Sequence, residues 1–461
     1  MQEIIETRSG KLTGVQANGY TKYLGIPYAM PPIGERAFRR PEPMVWEGVF
    51  AADTLRKNPI QAAYGYTPAE FDEDCLYLNI WVPEDARSDA PVMVYFYGGS
   101  YAYGGTGVGT ITAPQQALCV NAPRYDMEKF CLETGCIMVT FNYRVNLYGF
   151  LDLRFVNPAF EPNLGLRDQI MAVRWIHDNI AAFGGDAENI TLFGQSAGAA
   201  CILALMSIPE AQPLFAKAIV QSACIDHFYT PQESKTIAQQ YLKFAGVNPN
   251  DPKAIRNLPV ETVMAANNKL ESYTANRFDT RCAFSPVIDG ELLNDYPKNL
   301  APMSGKPMLI GTTAMESTIF IQSLPVPFLK LLSWKAGLSD RAYPGKLRER
   351  CGRAMTELMY KAPMRQLLEH TDTRHAWVYE LEFTTPYLEQ SGLHSCHTVE
   401  LALLFDYYKQ VGWYQGAWDQ AEQAGQKLRC YWGNFAKTGN PNSPGRADWQ
   451  PYAANQTICS L

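Results

Sequence analysis

The chain has 461 residues, 47% hydrophobic and 19% charged, a globular composition that excludes global disorder and supplies apolar material for a large core. Acidic residues number 46 and basic residues 40, a formal charge of −6, so no basic footprint for nucleic acid or an anionic membrane is present. No apolar run approaches the roughly 20 residues of a spanning helix. Glu3, Glu6 and Arg8 break any leader-like apolar stretch at the start, although a secreted form already trimmed of its leader would read the same. The 11 cysteines are odd in number, scattered and without a C-x-x-C pair. They are expected to be reduced and mostly buried, as in a cytoplasmic protein.

Glu3–Val15, with a turn at Ser9-Gly10, predicts a hairpin. Leu76–Val82 and Val92–Tyr97 predict strands, the second ending in Gly98-Gly99. Asp126–Thr134 predicts a helix stopped by Gly135, and the apolar run Cys136–Tyr143 a strand buried on both faces. In Asn163–Phe183 the apolar residues Leu166, Ile170, Val173, Ile176 and Ile180 fall on one helical face, and Gly184-Gly185 supplies the stop. Asn189–Phe193 predicts a short strand. Ser196–Met206 is apolar nearly all round, which predicts a helix in the middle of the molecule. Ala218–Gln221, Met308–Gly311 and Ala376–Phe383 predict further strands, and Trp418–Lys437 a long closing helix. Strands alternating with helices predict an α/β fold with a mostly parallel sheet covered on both faces. The helical stretches 226–300 and 317–375 read as decorations forming the pocket walls of a single catalytic domain, 1–461.

The segment Asn189–Gly198 carries the pattern G-x-S-x-G between a strand and a buried helix. That context marks a nucleophile elbow, the α/β-hydrolase device in which a strained turn projects a serine hydroxyl, here that of Ser196. Gly194 and Gly198 permit strand and helix to approach, and the N–H of Ala197 opens the helix towards a developing oxyanion. The glycine-rich turn Tyr97-Gly98-Gly99-Ser100 follows a strand and is placed to supply further donors. In this fold the acid and then the histidine follow the serine. His177 precedes it, whereas His394 and His397 lie in a loop after the Ala376–Phe383 strand. Glu316, just past the Met308–Gly311 strand, is a candidate acid, with Asp289 and Asp372 as rivals on position. His394-x-x-His397-x-x-Glu400, with Cys396 between, also has a metal-like spacing, but it lacks the H-E-x-x-H helix logic and a second cluster.

With these residues in place, the chain resembles the type-B carboxylesterases, which include bacterial para-nitrobenzyl esterases and cholinesterases. The likeness is densest from Gly25 to Ser222. It includes Gly25-Ile-Pro-Tyr-Ala29, Glu73-Asp-Cys-Leu-Tyr-Leu-Asn79, Asn142-Tyr-Arg144, Asn163-Leu-Gly-Leu-Arg-Asp-Gln169 and Phe183-Gly-Gly-Asp186. Gly311-Thr-Thr-Ala-Met-Glu316 resembles the family's glutamate signature, and His397-Thr-Val-Glu400-Leu401 its histidine signature. The resemblance implies a triad of Ser196, Glu316 and His397, oxyanion donors on the N–H groups of Gly99, Ser100 and Ala197, and Ser222 as a supporting hydrogen-bond partner. Four departures stand out. Ser100 replaces a usual third glycine, which a negative φ would accommodate. Gln195 replaces a usual glutamate and removes a negative charge near the site, against a choline-ester reading. Cys75 matches a disulfide cysteine but lacks a partner. Residues 106–124 run longer than the family's usual connection, so a flap at the mouth of the site is expected.

The reading that results is a bacterial, cytoplasmic serine carboxylesterase acting on small to medium esters, with no cofactor and no metal. Its partner is a small-molecule ester, not nucleic acid or membrane, and the sequence sets no oligomeric state. The alternatives are a lipase or thioesterase of the same fold, or a non-catalytic, neuroligin-like binding module.

Overall fold

In the computed structural model, the described residues are 3–461 apart from 62–69, 87–88, 109–124, 278–280, 323, 336–337, 339–344, 444–448 and 455. Among them, one sheet contains β1 (Val15–Gln16), β2 (Tyr20–Pro27), β3 (Tyr77–Pro83), β4 (Ala90–Phe96) and β5 (Ile137–Phe141). It continues with β6 (Gly185–Gln195), β7 (Lys217–Gln221), β8 (Met308–Thr313), β9 (Ala376–Leu381) and β10 (Ile458–Ser460). The order across the sheet is β10-β9-β8-β7-β6-β4-β5-β3-β2-β1. From β10 to β5 every neighbouring pair is parallel. The remaining strands, β3, β2 and β1, continue the sheet antiparallel. The predicted N-terminal hairpin forms apart from this sheet, with Thr7 opposite Gly10, so Arg8-Ser9 makes the turn.

The parallel strands are apolar runs because helices cover both faces. Successive side chains point to opposite faces. Tyr95 and Phe193, with ring centroids 5.0 Å apart, meet Phe130 of α1 (Glu128–Thr134) and Phe405, just after the helix that follows His397. Gly194, one residue on, faces the other way, towards Ile202. On that second face lie α2 (Leu164–Asn179) and α3 (Ala197–Ser207), and α3 is buried along its whole length, as its all-apolar sequence predicts. On the first face, α4 (Val399–Leu404) and α5 (Trp418–Thr438) pack together and join α1.

Several boundaries differ from the sequence reading. The helix predicted to Phe183 ends at Asn179, and a 3₁₀ turn, Ile180–Phe183, completes it before Gly184 at φ 84°. Strand β6 begins at Gly185, with a register shift against β4 between Gly185 and Ile190. Strands β2 and β10 extend the sheet where no strand was predicted.

The parallel strands end at one edge, and the turns that follow β4, β6, β7, β8 and β9 leave from it. Sites in open α/β sheets form at this carboxyl edge. Two largely helical insertions belong to the same region of the chain. Between β7 and β8 come Pro231–Ala245, Pro252–Arg256 and Val260–Asn276. Between β8 and β9 come Thr318–Ile321, Val326–Lys335, Leu347–Thr356, a π-helical turn at Glu357–Lys361 and Ala362–Glu369.

Candidate active site

Ser196 stands between β6 and α3 at φ 58° and ψ −125°, a conformation strained for an L-residue. Its backbone is held on both sides. Its N–H donates to Gln221 O at 2.9 Å, and its carbonyl accepts from Ala200 N–H at 3.0 Å. The close approach that the flanking glycines were expected to permit is present. A Cβ at Gly198 would lie 2.2 Å from Phe96 O, and one at Gly194 2.7 Å from the same atom.

The loop after β4 is fixed by two tyrosines. The rings of Tyr97 and Tyr143 stack 4.0 Å apart, and each hydroxyl donates to the other's carbonyl at 2.6 Å. Gly98 then passes so close to the elbow that a Cβ there would lie 3.1 Å from Ser196 Cβ. Gly99 has φ 110°. A negative φ would accommodate Ser100 without strain, but it lies at φ 56°, and Tyr101 follows at 59°. The turn is therefore left-handed without a third glycine, at a cost of about 1–2 kcal/mol for such a residue. The N–H groups of Gly99, Ser100 and Ala197 have no acceptor among the described residues. They are three free donors on the turns that flank Ser196.

Glu316 and His397 meet at the same edge. His397 Nδ1 lies 2.6 Å from Glu316 Oε2, and Glu316 Oε1 accepts from Thr313 N–H at 2.8 Å. His397 N–H also donates to Glu316 O at 3.2 Å. Glu316 is fully buried and His397 nearly so. Burial opposes the charged imidazole, but the charge and hydrogen bond of Glu316, with lesser help from Cys224 and Glu400, outweigh it and raise the His397 pKa. Phe320 and Tyr360 flank the ring, with centroids 5.4 and 5.3 Å away, and Tyr360 is carried by the π-helical turn.

The rivals go elsewhere. His394 faces the carboxylates of Glu389 at 2.9 Å and Glu349 at 3.7 Å. Asp289 accepts from the N–H groups of Glu291, Leu292 and Leu293, a turn-forming role. Asp372 pairs with Arg374 two residues on. His177, on α2, lies near Asp178 of the same helix and Glu188 of β6. The metal-like spacing from His394 to Glu400 is not drawn together as a metal-holding group among the described residues.

Two polar contacts differ from the expected pattern. Ser196 Oγ lies 3.7 Å from Cys224 Sγ, and His397 Nε2 is met by Gln195 Nε2 at 3.1 Å in place of the serine hydroxyl. The amide thus caps the free lone pair of a ring whose Nδ1–H is directed at Glu316. Ser222 sits in the turn after β7 at φ 50° and is buried, and its Oγ has no hydrogen-bond partner among the described residues. Glu400, on α4, is buried, and its Oε2 has no hydrogen-bond partner among the described residues. Burial first, and then the charge of Glu316, push its pKa up to about 7.

The residues missed from sequence are Cys224, His227 and Cys282. Cys224-Ile225-Asp226-His227 forms a turn in which His227 N–H donates to Cys224 O at 3.1 Å. His227 Nδ1 lies 3.1 Å from Cys282 Sγ. A hydrogen bond from the Cys282 thiol, and the charges of His227 and His397, overcome burial and hold the Cys224 thiol well below its usual range, while Cys282 is raised. The C-x-x-H spacing was the available signal for two of the three. Of the expected flap, only the first residues are described. Thr106 N–H donates to Asn142 Oδ1 at 2.7 Å and Gly107 N–H to Asn58 Oδ1 at 2.8 Å, while 109–124 lie outside the described residues.

The model of the Carboxylesterase family matches residues 1–330 and 328–461. The chain belongs to the carboxylesterase family. A para-nitrobenzyl esterase of Bacillus subtilis is 31% identical over 98% of this chain and 92% of its own length. Carboxylesterase 4A of Bos taurus is 28% identical over 100% of this chain and 91% of its own. A solved carboxylesterase of Geobacillus stearothermophilus matches with a TM-score of 0.81 at 29% identity, covering 99% of this chain and 96% of that one. This carboxylesterase-family chain has the α/β-hydrolase fold. No helix among the described residues is long and apolar enough to cross a membrane.

Proposed function

We propose that the chain is a serine carboxylesterase acting on small to medium esters, with Ser196 as nucleophile, His397 as base and Glu316 as its orienting acid. The observation that carries this reading is the Glu316–His397 pair, 2.6 Å apart and buried, at the edge where Ser196 projects from a strained elbow. For reaction, Ser196 Oγ turns from Cys224 towards His397, and the Gln195 amide withdraws from Nε2. Catalytic hydrogen bonds are often unformed in the absence of substrate. Oγ then attacks the ester carbonyl carbon as Nε2 takes its proton. The free N–H groups of Gly99, Ser100 and Ala197 receive the oxyanion. Collapse breaks the carbon–oxygen bond to the alcohol, which leaves with the proton from His397. Water repeats the sequence on the acyl-enzyme and frees the carboxylic acid and the serine.

The helical segments 226–300 and 317–375 supply the pocket walls. Phe320 and Tyr360, from the second, bring aromatic surface against the base, which suits uncharged acyl or alcohol groups. Gln195 beside His397 adds no negative charge to attract a cationic ester. A bacterial, reducing cytoplasm fits the ten described cysteines, all free, and the Bacillus subtilis relative. The test is hydrolysis of p-nitrophenyl esters of rising acyl length by wild type and Ser196→Ala. Wild type turns over the shorter esters, and the variant loses on the order of 10⁶-fold in kcat, as a comparable hydrolase does on losing its serine. A folded Ser196→Ala protein with near-wild-type turnover overturns the reading.

A further inference from the structure

We propose that Cys224, His227 and Cys282 form a binding site for a thiophilic divalent cation such as zinc, and that the bound ion faces Ser196 and blocks it. The three ligand atoms lie within 4.8 Å of one another, and Cys224 and His227 are buried. Ligands of a tetrahedral zinc, bonded at 2.0–2.3 Å, sit about 3.3–3.8 Å apart. The 3.1 Å between His227 Nδ1 and Cys282 Sγ is slightly tighter, so small side-chain adjustments admit the ion. Two thiols and an imidazole are a soft donor set, which selects zinc or a similar ion over magnesium or calcium.

The backbone under each ligand is already fixed. The Cys224–His227 turn closes through its 3.1 Å hydrogen bond. Cys282 is tied down through its carbonyl, which accepts from Tyr229 Oη at 2.8 Å and Ser285 Oγ at 3.2 Å. Three protein ligands leave a fourth position open. Ser196 Oγ, 3.7 Å from Cys224 Sγ, has the spacing that two ligands of one tetrahedral ion share. On binding, the thiol protons of Cys224 and Cys282 pass to solvent and both sulfurs bond the metal. His227 gives its Nδ1 lone pair, and the 3.3 Å hydrogen bond from Cys282 N–H to that atom is released. The ion is thus an inhibitor held beside the nucleophile, not a participant in ester cleavage, and a chelator raises activity.

The blocking half rests on Ser196 being the nucleophile, whereas the site itself does not. The test therefore has two readouts, both on reduced, metal-stripped full-length protein. Titration with Co²⁺ is expected to give one equivalent bound, with thiolate-to-metal charge transfer and the intense visible bands of tetrahedral cobalt. Titration with Zn²⁺ is expected to suppress both ester turnover and fluorophosphonate labelling of Ser196, reversibly with EDTA. Cys282→Ser and His227→Gln, checked for an unchanged circular dichroism spectrum, each weaken the metal by at least about 100-fold, the upper end for a lost supporting group. A cobalt spectrum without thiolate bands, or equal binding in both variants, overturns the site. Stoichiometric binding that leaves labelling of Ser196 unchanged overturns the blockade. Should the metal-free protein prove inactive towards every ester, the esterase reading fails while the cobalt result still judges the site.

Discussion

Ser196 adopts a backbone conformation that costs about 1–3 kcal/mol, and the surrounding hydrogen bonds and close contacts impose it. Its hydroxyl lies 3.7 Å from the Cys224 thiol, and the reaction proposed above requires it to turn towards His397. The imidazole accepts the serine proton only when neutral. Because the Glu316 charge and hydrogen bond outweigh burial and raise the His397 pKa, the ring stays protonated to higher pH than a free imidazole. The acidic limb of kcat/KM is therefore predicted above the ordinary histidine value of about 6.5. Glu400, with its pKa pushed up to about 7, adds negative charge near the ring as it ionises. Glu400→Gln removes that charge and should move the limb down. A pH–rate profile of the two proteins checks both statements, and a limb that rises in the variant contradicts the assignment.

Among the elements, the strand–turn–helix of the elbow was the most legible in sequence, because its glycines have one mechanical reason. Gly198 lets α3 pass against the carbonyls of Phe96 and Tyr97, 2.2 and 2.4 Å from an added Cβ. Both are backbone atoms that cannot swing aside. Gly198→Ala should cost about 1–3 kcal/mol, typical of overpacking, and lower kcat by displacing Ala197 and the loop after β4. Thermal unfolding with activity on the same sample measures this. The oxyanion turn was less legible. Its donors could be placed after β4, but the left-handed φ of Ser100 belongs to a turn that Ala102 and Tyr103 close by donating to Gly99 O, a geometry that residue types other than glycine and asparagine do not announce. Strand β10 was missed because three residues carry too little periodicity, and β2 because Gly25 and Pro27 break its pattern. The Cys224–His227–Cys282 cluster was illegible for a further reason. A long helical insertion separates Cys282 from the C-x-x-H turn it joins.

At the scale of the molecule, alternating strands and helices were sufficient to predict a mostly parallel sheet, and its carboxyl edge gathers residues from five separate turns. The neighbouring turn after β5 is locked to α2 by polar contacts. Arg144, after β5, donates from Nε and an Nη to the two carboxylate oxygens of Asp168 on α2, at 2.8 and 2.6 Å, and its backbone N–H adds a third bond at 3.0 Å. Both side chains are buried. Asp168→Ala leaves an uncompensated guanidinium and should destabilise the fold by about 3–5 kcal/mol, read as a lower urea midpoint. The central claim, that Ser196 is activated by His397 on its Glu316 support, is tested most directly by fluorophosphonate labelling with peptide mapping. Wild type and His394→Ala are predicted to carry a single adduct on Ser196, and His397→Ala to label far more slowly. An adduct on another residue, or equally fast labelling of Ser196 without His397, would contradict the account.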